Sequence, residues 1–268
     1  MPRPAMERAV KRLPEARAFF TQQSRTAVGT AVNKGFDLIL GHASDDHGVG
    51  ADVVNVMVAD AGDVFFAACP LPGPRPHCRH QKYAIENNIT TEAEKTGGGY
   101  EWGAGWEKRN NWNYQTPYGK KPESELEPAV HISRFEADNY CKYIGGRLPT
   151  FEEWSFAAYT QYFDSDKFEK GKTYKYPSGD EAKDMNSQGL LDYNKHVDVT
   201  TLPNGINNLI AMGGNVWEWV DDQRGESSLT AGASWWYGGS KTSKGGAQYK
   251  PSDFYAIYVG FRCAFDLN

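Results

Sequence analysis

The chain has 268 residues, of which 40% are hydrophobic and 24% are charged, so it can bury the core of one large domain or two small ones. Its formal net charge is -5 at pH 7, and its basic residues are dispersed, which argues against nucleic acid or an anionic membrane as the main partner. No apolar run approaches the roughly 20 residues that cross a bilayer, and no signal peptide is visible. We therefore predict no membrane span, and the localisation stays open between the cytoplasm, a virion and a non-standard export route.

The N-terminal region predicts a helix followed by β-strands. Apolar residues recur at helical spacing within residues 5–21. Three β-type runs follow at residues 36–40, 53–58 and 64–68, separated by glycine and aspartate. We interpret residues 1–50 as an N-terminal helix with a β-type extension and residues 51–268 as one domain.

The four cysteines divide into a local pair and a distant pair. Cys69 and Cys78 bracket a proline-rich turn, whereas Cys141 and Cys263 lie far apart. Four cysteines allow three pairings, and free thiols in a reducing compartment are the alternative. The segment 77–80 contains two histidines and a cysteine, but it lacks the second ligand group of a zinc site and is interpreted as a turn.

Two helices are predicted in the middle of the chain by their N-terminal caps. Ser133 and Glu136 form a capping box, and the run that follows ends at a pair of glycines. Thr150 and Glu153 repeat the pattern after a proline. We interpret both carboxylates as cap residues rather than as general acids or bases. The side chains expected to face the core are Phe135, Tyr140 and Cys141 in the first helix and Trp154, Phe156, Ala157 and Ala158 in the second.

The last third of the chain is a tryptophan-rich frame around residues suited to contact. The frame reads GNVWEW at 214–219 and GFRC at 260–263. Between these motifs, Trp, Tyr, Ser and Gly occur in the mixture that antibody paratopes favour. Two adjacent aromatic pairs lie at 236–237 and 254–255, and on a strand one member of each pair must face away from the core. Burial in the core is the alternative for each residue. The candidate ligand-binding residues are Trp236, Tyr237, Ser240, Thr242, Tyr249, Ser252, Phe254, Tyr255 and Tyr258.

Several segments resemble, in order, the motifs of the formylglycine-generating enzyme family, a branch of the C-type lectin fold. The longest are residues 128–141 and 146–154, and the similarity covers roughly residues 80–268. The resemblance implies an α+β, loop-rich fold with two helices and a small, twisted antiparallel sheet. It also implies a disulfide between Cys141 and Cys263. The shorter matching segments are 88–95, 176–180, 203–205, 214–219 and 260–262.

The same resemblance bears on catalysis. Formylglycine-generating enzymes bind copper through two cysteines that follow a Gly-Gly-Ser-aromatic turn. Here the turn lies at residues 232–235, and the two positions hold Tyr237 and Thr242. Neither side chain replaces a thiolate ligand for Cu(I). We therefore predict a protein that is not an enzyme and requires no cofactor. The alternative is a copper-dependent oxidase with another ligand set, or an inactive homologue.

The fold and C-terminal frame are also similar to the variable proteins of diversity-generating retroelements. In those systems an error-prone reverse transcriptase rewrites adenines in a C-terminal coding segment. Residues 252–258 consist wholly of types that arise when asparagine codons are rewritten. This resemblance implies a receptor- or adhesin-like protein that binds a protein or glycan ligand through a diversified segment at 232–264.

Members of the formylglycine-generating enzyme family often hold structural calcium. Asn215 and Glu218 of the frame are the candidate oxygen donors for such an ion. The equal alternative is that both are hydrogen-bonded scaffold residues. The sequence does not predict the oligomeric state.

Overall fold

The computed structural model describes residues 80 and 83–266 with their side chains and residues 64–67 by their backbone. The predicted N-terminal helix, the β-type runs at 36–40 and 53–58, and Cys69 and Cys78 lie outside these residues. No helix in the described part is both long and apolar enough to cross a membrane. The elements are β1 (Val64–Ala67), α1 (Glu92–Lys95), β2 (Gly98–Trp102), β3 (Trp106–Asn110), α2 (Arg134–Tyr143), α3 (Phe151–Tyr159), β4 (Trp217–Arg224), β5 (Ser227–Ala231), β6 (Gln248–Pro251), β7 (Val259–Phe261) and β8 (Cys263–Asp266).

The main sheet has four strands in the order β6-β5-β4-β7. The β4–β5 and β5–β6 pairs are antiparallel, as predicted, but β4 and β7 are parallel, with Trp217 opposite Val259. A parallel neighbour requires a crossover connection rather than a hairpin. Residues 232–258 provide it, because the chain leaves β5, adds β6 at one edge and returns to the other edge of β4. The candidate ligand-binding residues lie on this crossover.

Two smaller sheets complete the β-structure of the described residues. Strands β1 and β8 pair antiparallel, from Val64 opposite Asp266 to Ala67 opposite Cys263. The β-type run predicted at 64–68 is thereby confirmed. Strands β2 and β3 form a hairpin whose last pair is Trp102 opposite Trp106.

Both predicted helices are present and begin with the predicted caps. The Ser133 hydroxyl accepts from the Glu136 N–H in α2, and the Thr150 hydroxyl accepts from the Glu153 N–H in α3. The Glu136 carboxylate also accepts from the backbone N–H of Glu92 at 2.8 Å. One cap side chain therefore joins the start of α2 to the start of α1.

The prediction that Phe135 faces the core is wrong, because its side chain is 51% exposed. The buried face of α2 consists of Ala137, Tyr140 and Cys141, which follow the i, i+3, i+4 spacing of one helix face. Phe135 lies two residues before Ala137, which is about 200° around the helix axis. It therefore points to the opposite side.

Three tryptophans are fully buried, Trp217 and Trp219 in one hydrophobic cluster and Trp154 in a second. The indole N–H of Trp219 donates to the backbone oxygen of Ile132 at 2.9 Å. The indole N–H of Trp154 donates to the Glu218 carboxylate at 2.7 Å. These bonds satisfy polar atoms that burial removes from water.

Arg262 and Glu218 form a buried, bidentate ion pair. Arg262 Nε donates to Glu218 Oε2 and Nη2 donates to Oε1, both at 2.6 Å. The Arg262 side chain is only 3% exposed. Since the Glu218 carboxylate also accepts from Trp154, one acidic group joins α3, β4 and the segment between β7 and β8.

A disulfide between Cys141 and Cys263 ties α2 to β8, with a Cα–Cα distance of 5.4 Å. This pairing was implied by the family resemblance and is confirmed. It fastens the second helix to the strand that also pairs with β1.

Candidate functional site

Three exposed tryptophans and one partly buried phenylalanine, linked in part through the buried ring of Tyr258, form an apolar patch that we call the aromatic surface. Trp106 is 48% exposed, Trp236 is 44% exposed and Trp102 is 42% exposed. Phe254 completes the patch beside Trp106, with ring centroids 4.8 Å apart. Large rings that lie together at a surface mark interaction sites more often than isolated ones do.

The hairpin of β2 and β3 supplies two of these rings. Trp102 and Trp106 lie directly opposite each other, and their rings meet edge to face with centroids 5.2 Å apart. The loop between them is Gly103-Ala104-Gly105, in which the Gly103 N–H donates to the Gly105 oxygen at 2.9 Å. The Ala104 N–H donates to the Glu107 carboxylate at 3.2 Å. The tip that holds the two tryptophans is therefore braced by its own hydrogen bonds.

Tyr258 joins the hairpin to the C-terminal segment. Its ring lies 6.2 Å from that of Trp106 and 5.9 Å from that of Trp236. Its hydroxyl accepts a hydrogen bond of 3.1 Å from the Trp102 backbone N–H. Tyr258 is only 4% exposed, so the exposed rings of Trp106 and Trp236 pack against a buried side chain.

Four of the nine candidate ligand-binding residues are buried, which is the alternative given for each of them: Thr242, Ser252, Tyr255 and Tyr258 are no more than 8% exposed. The Tyr255 hydroxyl, for example, shares a hydrogen bond of 2.8 Å with Thr96 Oγ1. One member of each adjacent aromatic pair, Trp236 and Phe254, is the more exposed, but strand alternation is not the reason, because β6 ends at residue 251 and β7 begins at 259. Residues 252–258 follow a turn, in which neighbouring side chains need not point to opposite faces.

The other five candidate residues differ in exposure and position. Trp236 and Ser240 are exposed, whereas Tyr237, Tyr249 and Phe254 are partly buried. Tyr249 packs against a different hydrophobic cluster from the one that Phe254 and Tyr237 contact. Trp236 thus contacts Tyr258, and Phe254 contacts Trp106, whereas Tyr249 lies elsewhere.

Trp102 and Trp106 were absent from the residues predicted to bind. The signal for them was the string Trp-Gly-Ala-Gly-Trp, in which a glycine-containing loop separates two residues with high strand propensity. That pattern predicts a hairpin with both tryptophans at its tip. It gives no indication of where the hairpin docks, because docking depends on Tyr258, more than 150 residues away.

The two positions that correspond to the copper cysteines hold side chains that pack against interior residues. The Tyr237 ring meets Trp217 edge to face at 5.2 Å, and burial raises the pKa of Tyr237, so the phenol is neutral at physiological pH. Thr242 is fully buried, and its backbone oxygen accepts from the Tyr159 hydroxyl at 2.8 Å. Within the described residues the cysteines are Cys141 and Cys263, and both are in the disulfide.

Asn215 and Glu218 are hydrogen-bonded scaffold residues in this structure. Asn215 Oδ1 accepts from the Val197 backbone N–H at 2.9 Å and from Asn186 Nδ2 at 3.0 Å. Both Glu218 oxygens accept from Arg262. The described part of the chain contains no group of three His, Cys, Asp or Glu side chains that could hold a metal ion. Calcium at this pair stays a prediction, and binding it would require both side chains to exchange N–H donors for a cation.

The family follows from a match along most of the chain. The sulfatase-modifying factor enzyme 1-like domain, the family of formylglycine-generating enzymes, matches residues 53–267. The chain belongs to this family. The resemblance that the motifs indicated is thereby confirmed, and so is the α+β, lectin-like fold class.

One curated relative and two solved structures are similar to this chain. The bovine (Bos taurus) inactive C-alpha-formylglycine-generating enzyme 2 is 32% identical over 180 residues, which cover 59% of this chain and 56% of that protein. The chain thus spans little more than half of that relative's length. The crystal structure of CarF shares the fold, with a TM-score of 0.52 and 15% identity over 87% of this chain and 95% of CarF. Treponema denticola variable protein 1 aligns with a TM-score of 0.48 and 16% identity over 58% of this chain and 78% of that protein, which is too distant to bear on function.

Proposed function

We propose that this protein is a ligand-binding, receptor- or adhesin-like member of its family, and that the aromatic surface holds a protein or glycan ligand. One observation carries the proposal: three tryptophan side chains, 42–48% exposed, contact one another or share Tyr258 as a neighbour. Tryptophan is among the residue types that dominate binding energy at protein interfaces. Burying these rings under a ligand would contribute about 25 cal/mol for each Å² of apolar surface.

The surface is held in place before a ligand arrives, which lowers the entropy cost of binding. The backbone N–H of Ile257 donates to the Tyr100 oxygen at 3.0 Å, and Trp102 donates to the Tyr258 hydroxyl. Together these bonds lock the hairpin to the C-terminal segment. A ligand would therefore meet rings whose positions are already set.

Two contacts support a binding role rather than the oxidase chemistry of the family. Tyr237 and Thr242 lie at the positions of the copper-binding cysteines. The Tyr237 ring packs against Trp217, and Thr242 is held by hydrogen bonds to Tyr159 and Gly239. Neither supplies a soft sulfur ligand. We infer that this member binds without catalysis. Formation of an aldehyde on a cysteine-containing peptide, in the presence of copper and oxygen, would contradict that inference.

Diversification of the segment 232–264 by a retroelement extends the proposal, and burial restricts which positions could vary. Trp236, Ser240 and Asp253 are exposed, so their side chains can change without disturbing the core. Ser252 and Tyr255 are buried and hydrogen-bonded. We therefore expect a second copy of this coding segment, near a reverse transcriptase gene, to differ at adenines in the exposed codons. Differences concentrated at the buried codons would argue against it.

The binding test compares the full chain with single variants on a panel of cell-surface proteins and glycans. Trp106→Ala and Trp236→Ala each remove a ring from the aromatic surface, and Phe135→Ala removes an equally exposed ring from α2. For any ligand of the wild-type chain, we expect each tryptophan variant to weaken binding by at least about 30-fold, the equivalent of a 2 kcal/mol hot spot. Phe135→Ala should leave the affinity unchanged.

The result that would contradict the proposal is equally direct. A ligand that binds both tryptophan variants as tightly as the wild-type chain would place the binding site elsewhere. Circular dichroism of each variant establishes that a lost affinity does not reflect a lost fold.

A further inference from the structure

Lys250 is a half-buried lysine on β6 whose amine has no acidic partner among the described residues. Its Nζ donates to Thr230 Oγ1 at 2.7 Å and lies 4.0 Å from the centre of the Trp217 ring. Burial lowers the pKa of Lys250 to about 7, and no charged side chain contributes to the shift. Thr230 uses its own proton to donate to the Gln248 backbone oxygen. A neutral hydroxyl and an indole face are thus the amine's partners.

The indole beneath this amine and the phenol that packs against that indole are hydrogen-bond donors. Trp217 Nε1 is fully buried, and its contact with the Tyr237 hydroxyl falls short of good hydrogen-bond geometry. The Tyr237 ring stands edge to face against the same indole, and its hydroxyl keeps its proton because burial raises its pKa. We call Trp217, Tyr237 and Lys250 the donor cluster. Each member can donate a hydrogen bond to an acceptor that carries negative charge.

We propose that the donor cluster binds a carboxylate group of the ligand, with Lys250 as its cation. A buried ammonium without a counter-charge is unfavourable, and it is relieved either by losing its proton or by pairing with an anion. A carboxylate has two oxygens that only accept hydrogen bonds, so it matches an amine beside an indole N–H. Its charge of -1 neutralises a single ammonium.

The donor cluster adjoins the aromatic surface. Tyr237 follows Trp236 in the chain, and the Trp217 backbone N–H donates to the Tyr258 oxygen at 2.8 Å. A ligand stacked on Trp236 could therefore reach Lys250 with an acidic group. This role as part of the ligand site rests on the proposed function, whereas carboxylate binding at Lys250 does not. An acidic side chain of a protein and an acidic sugar of a glycan offer the same group.

The test uses the full chain with ¹⁵N-labelled tryptophan, whose eight indole N–H signals are resolved by NMR. The Trp217 signal is assigned as the one missing from Trp217→Phe. At pH 6, where the Lys250 amine is protonated, sodium acetate is titrated against matched sodium chloride and against acetamide, its uncharged analogue. We expect the Trp217 signal to shift saturably with acetate only.

Two variants locate the effect. Lys250→Gln keeps a side chain that can hydrogen-bond Thr230 but has no charge, and its apparent affinity for acetate should fall at least tenfold. Lys250→Arg keeps a cation and should retain the shift. N-acetyl-aspartate amide and glucuronate, titrated separately, distinguish an acidic peptide from an acidic sugar by which binds more tightly.

The inference is overturned if acetate leaves the wild-type Trp217 signal unmoved, or if Lys250→Gln responds as the wild-type chain does. Trp106→Ala separates this outcome from failure of the proposed function, because it removes part of the aromatic surface and leaves the donor cluster intact. Acetate should shift the Trp217 signal of that variant as in the wild-type chain.

Discussion

Arg262 and Glu218 show how individual polar side chains hold a fold with little regular structure. That Glu218 is a hydrogen-bonded scaffold residue could be anticipated from the sequence as one of two alternatives, because a loop-rich fold needs side-chain forks to satisfy its buried polar groups. Their partnership could not, since the two residues lie 44 positions apart and meet only when β7 pairs with β4. Trp154 joins them for the same reason.

Removing one member of this pair should be costly. Arg262→Met leaves the Glu218 charge buried beside a hydrocarbon chain, and we expect the free energy of unfolding to fall by about 3–5 kcal/mol. Urea denaturation of both proteins measures the difference. The double variant Arg262→Met with Glu218→Gln should recover part of the loss, because the buried charge is then gone. A loss below about 1 kcal/mol in the single variant would show that the pair contributes little.

His131 gives the protein a pH dependence of known sign. Burial lowers its pKa from 6.5 to about 3, helped by the neighbouring His196 and opposed by its bond to Pro117. The unfolded chain therefore takes up the proton first as the pH falls. The contribution of His131 to the unfolding free energy is present above about pH 6.5. It is lost progressively as the pH falls to about 3, at about 1.4 kcal/mol per pH unit.

The variant His131→Asn tests this expectation. Asparagine tolerates the backbone φ of 58° at this position and does not titrate. Between pH 7 and pH 5 the wild-type chain should lose roughly 2 kcal/mol more of its unfolding free energy than the variant does. Equal losses in the two proteins would mean that His131 is protonated in the folded state.

At the scale of elements, the sequence predicted most reliably what is local. The capping boxes of α2 and α3 are complete within four residues, and both helices begin where those patterns placed them. The parallel pairing of β4 and β7 was missed because nothing in either strand records which neighbour it takes. Which side chains of the crossover at 232–258 are exposed could be predicted only in part for a related reason, since an alternation rule was applied to a segment that turns.

The disulfide between Cys141 and Cys263 links two elements across 122 residues of sequence. Closing a loop of this length restricts the unfolded chain, and loss of such a bond costs about 2–5 kcal/mol. We expect the paired variant Cys141→Ala with Cys263→Ala to unfold at correspondingly lower urea concentration than the oxidised wild-type chain. The fully reduced wild-type chain should resemble the variant. If reduction leaves the unfolding curve unchanged, the bond does not stabilise the fold.

For the whole molecule, the family and fold class could be inferred from ordered motifs, whereas the binding surface could only be inferred in part. The motifs lie in the frame, where packing fixes residue types, so they carry the fold. The aromatic surface combines Trp236 with two tryptophans that precede it by more than 120 residues. The residue types of the C-terminal segment predicted a binding role. Which residues make up the aromatic surface depends on how the hairpin packs against Tyr258.

The central claim is that Trp102, Trp106 and Trp236 face solvent together in the full chain. Hydroxyl-radical footprinting with mass spectrometry measures the exposure of each tryptophan in solution and requires no ligand. We predict that these three are oxidised roughly tenfold faster than the buried Trp154, Trp217 and Trp219, in keeping with the contrast in exposure of their side chains. Protection of Trp106 and Trp236 to the level of Trp217 would mean that the surface is covered, and would contradict the account.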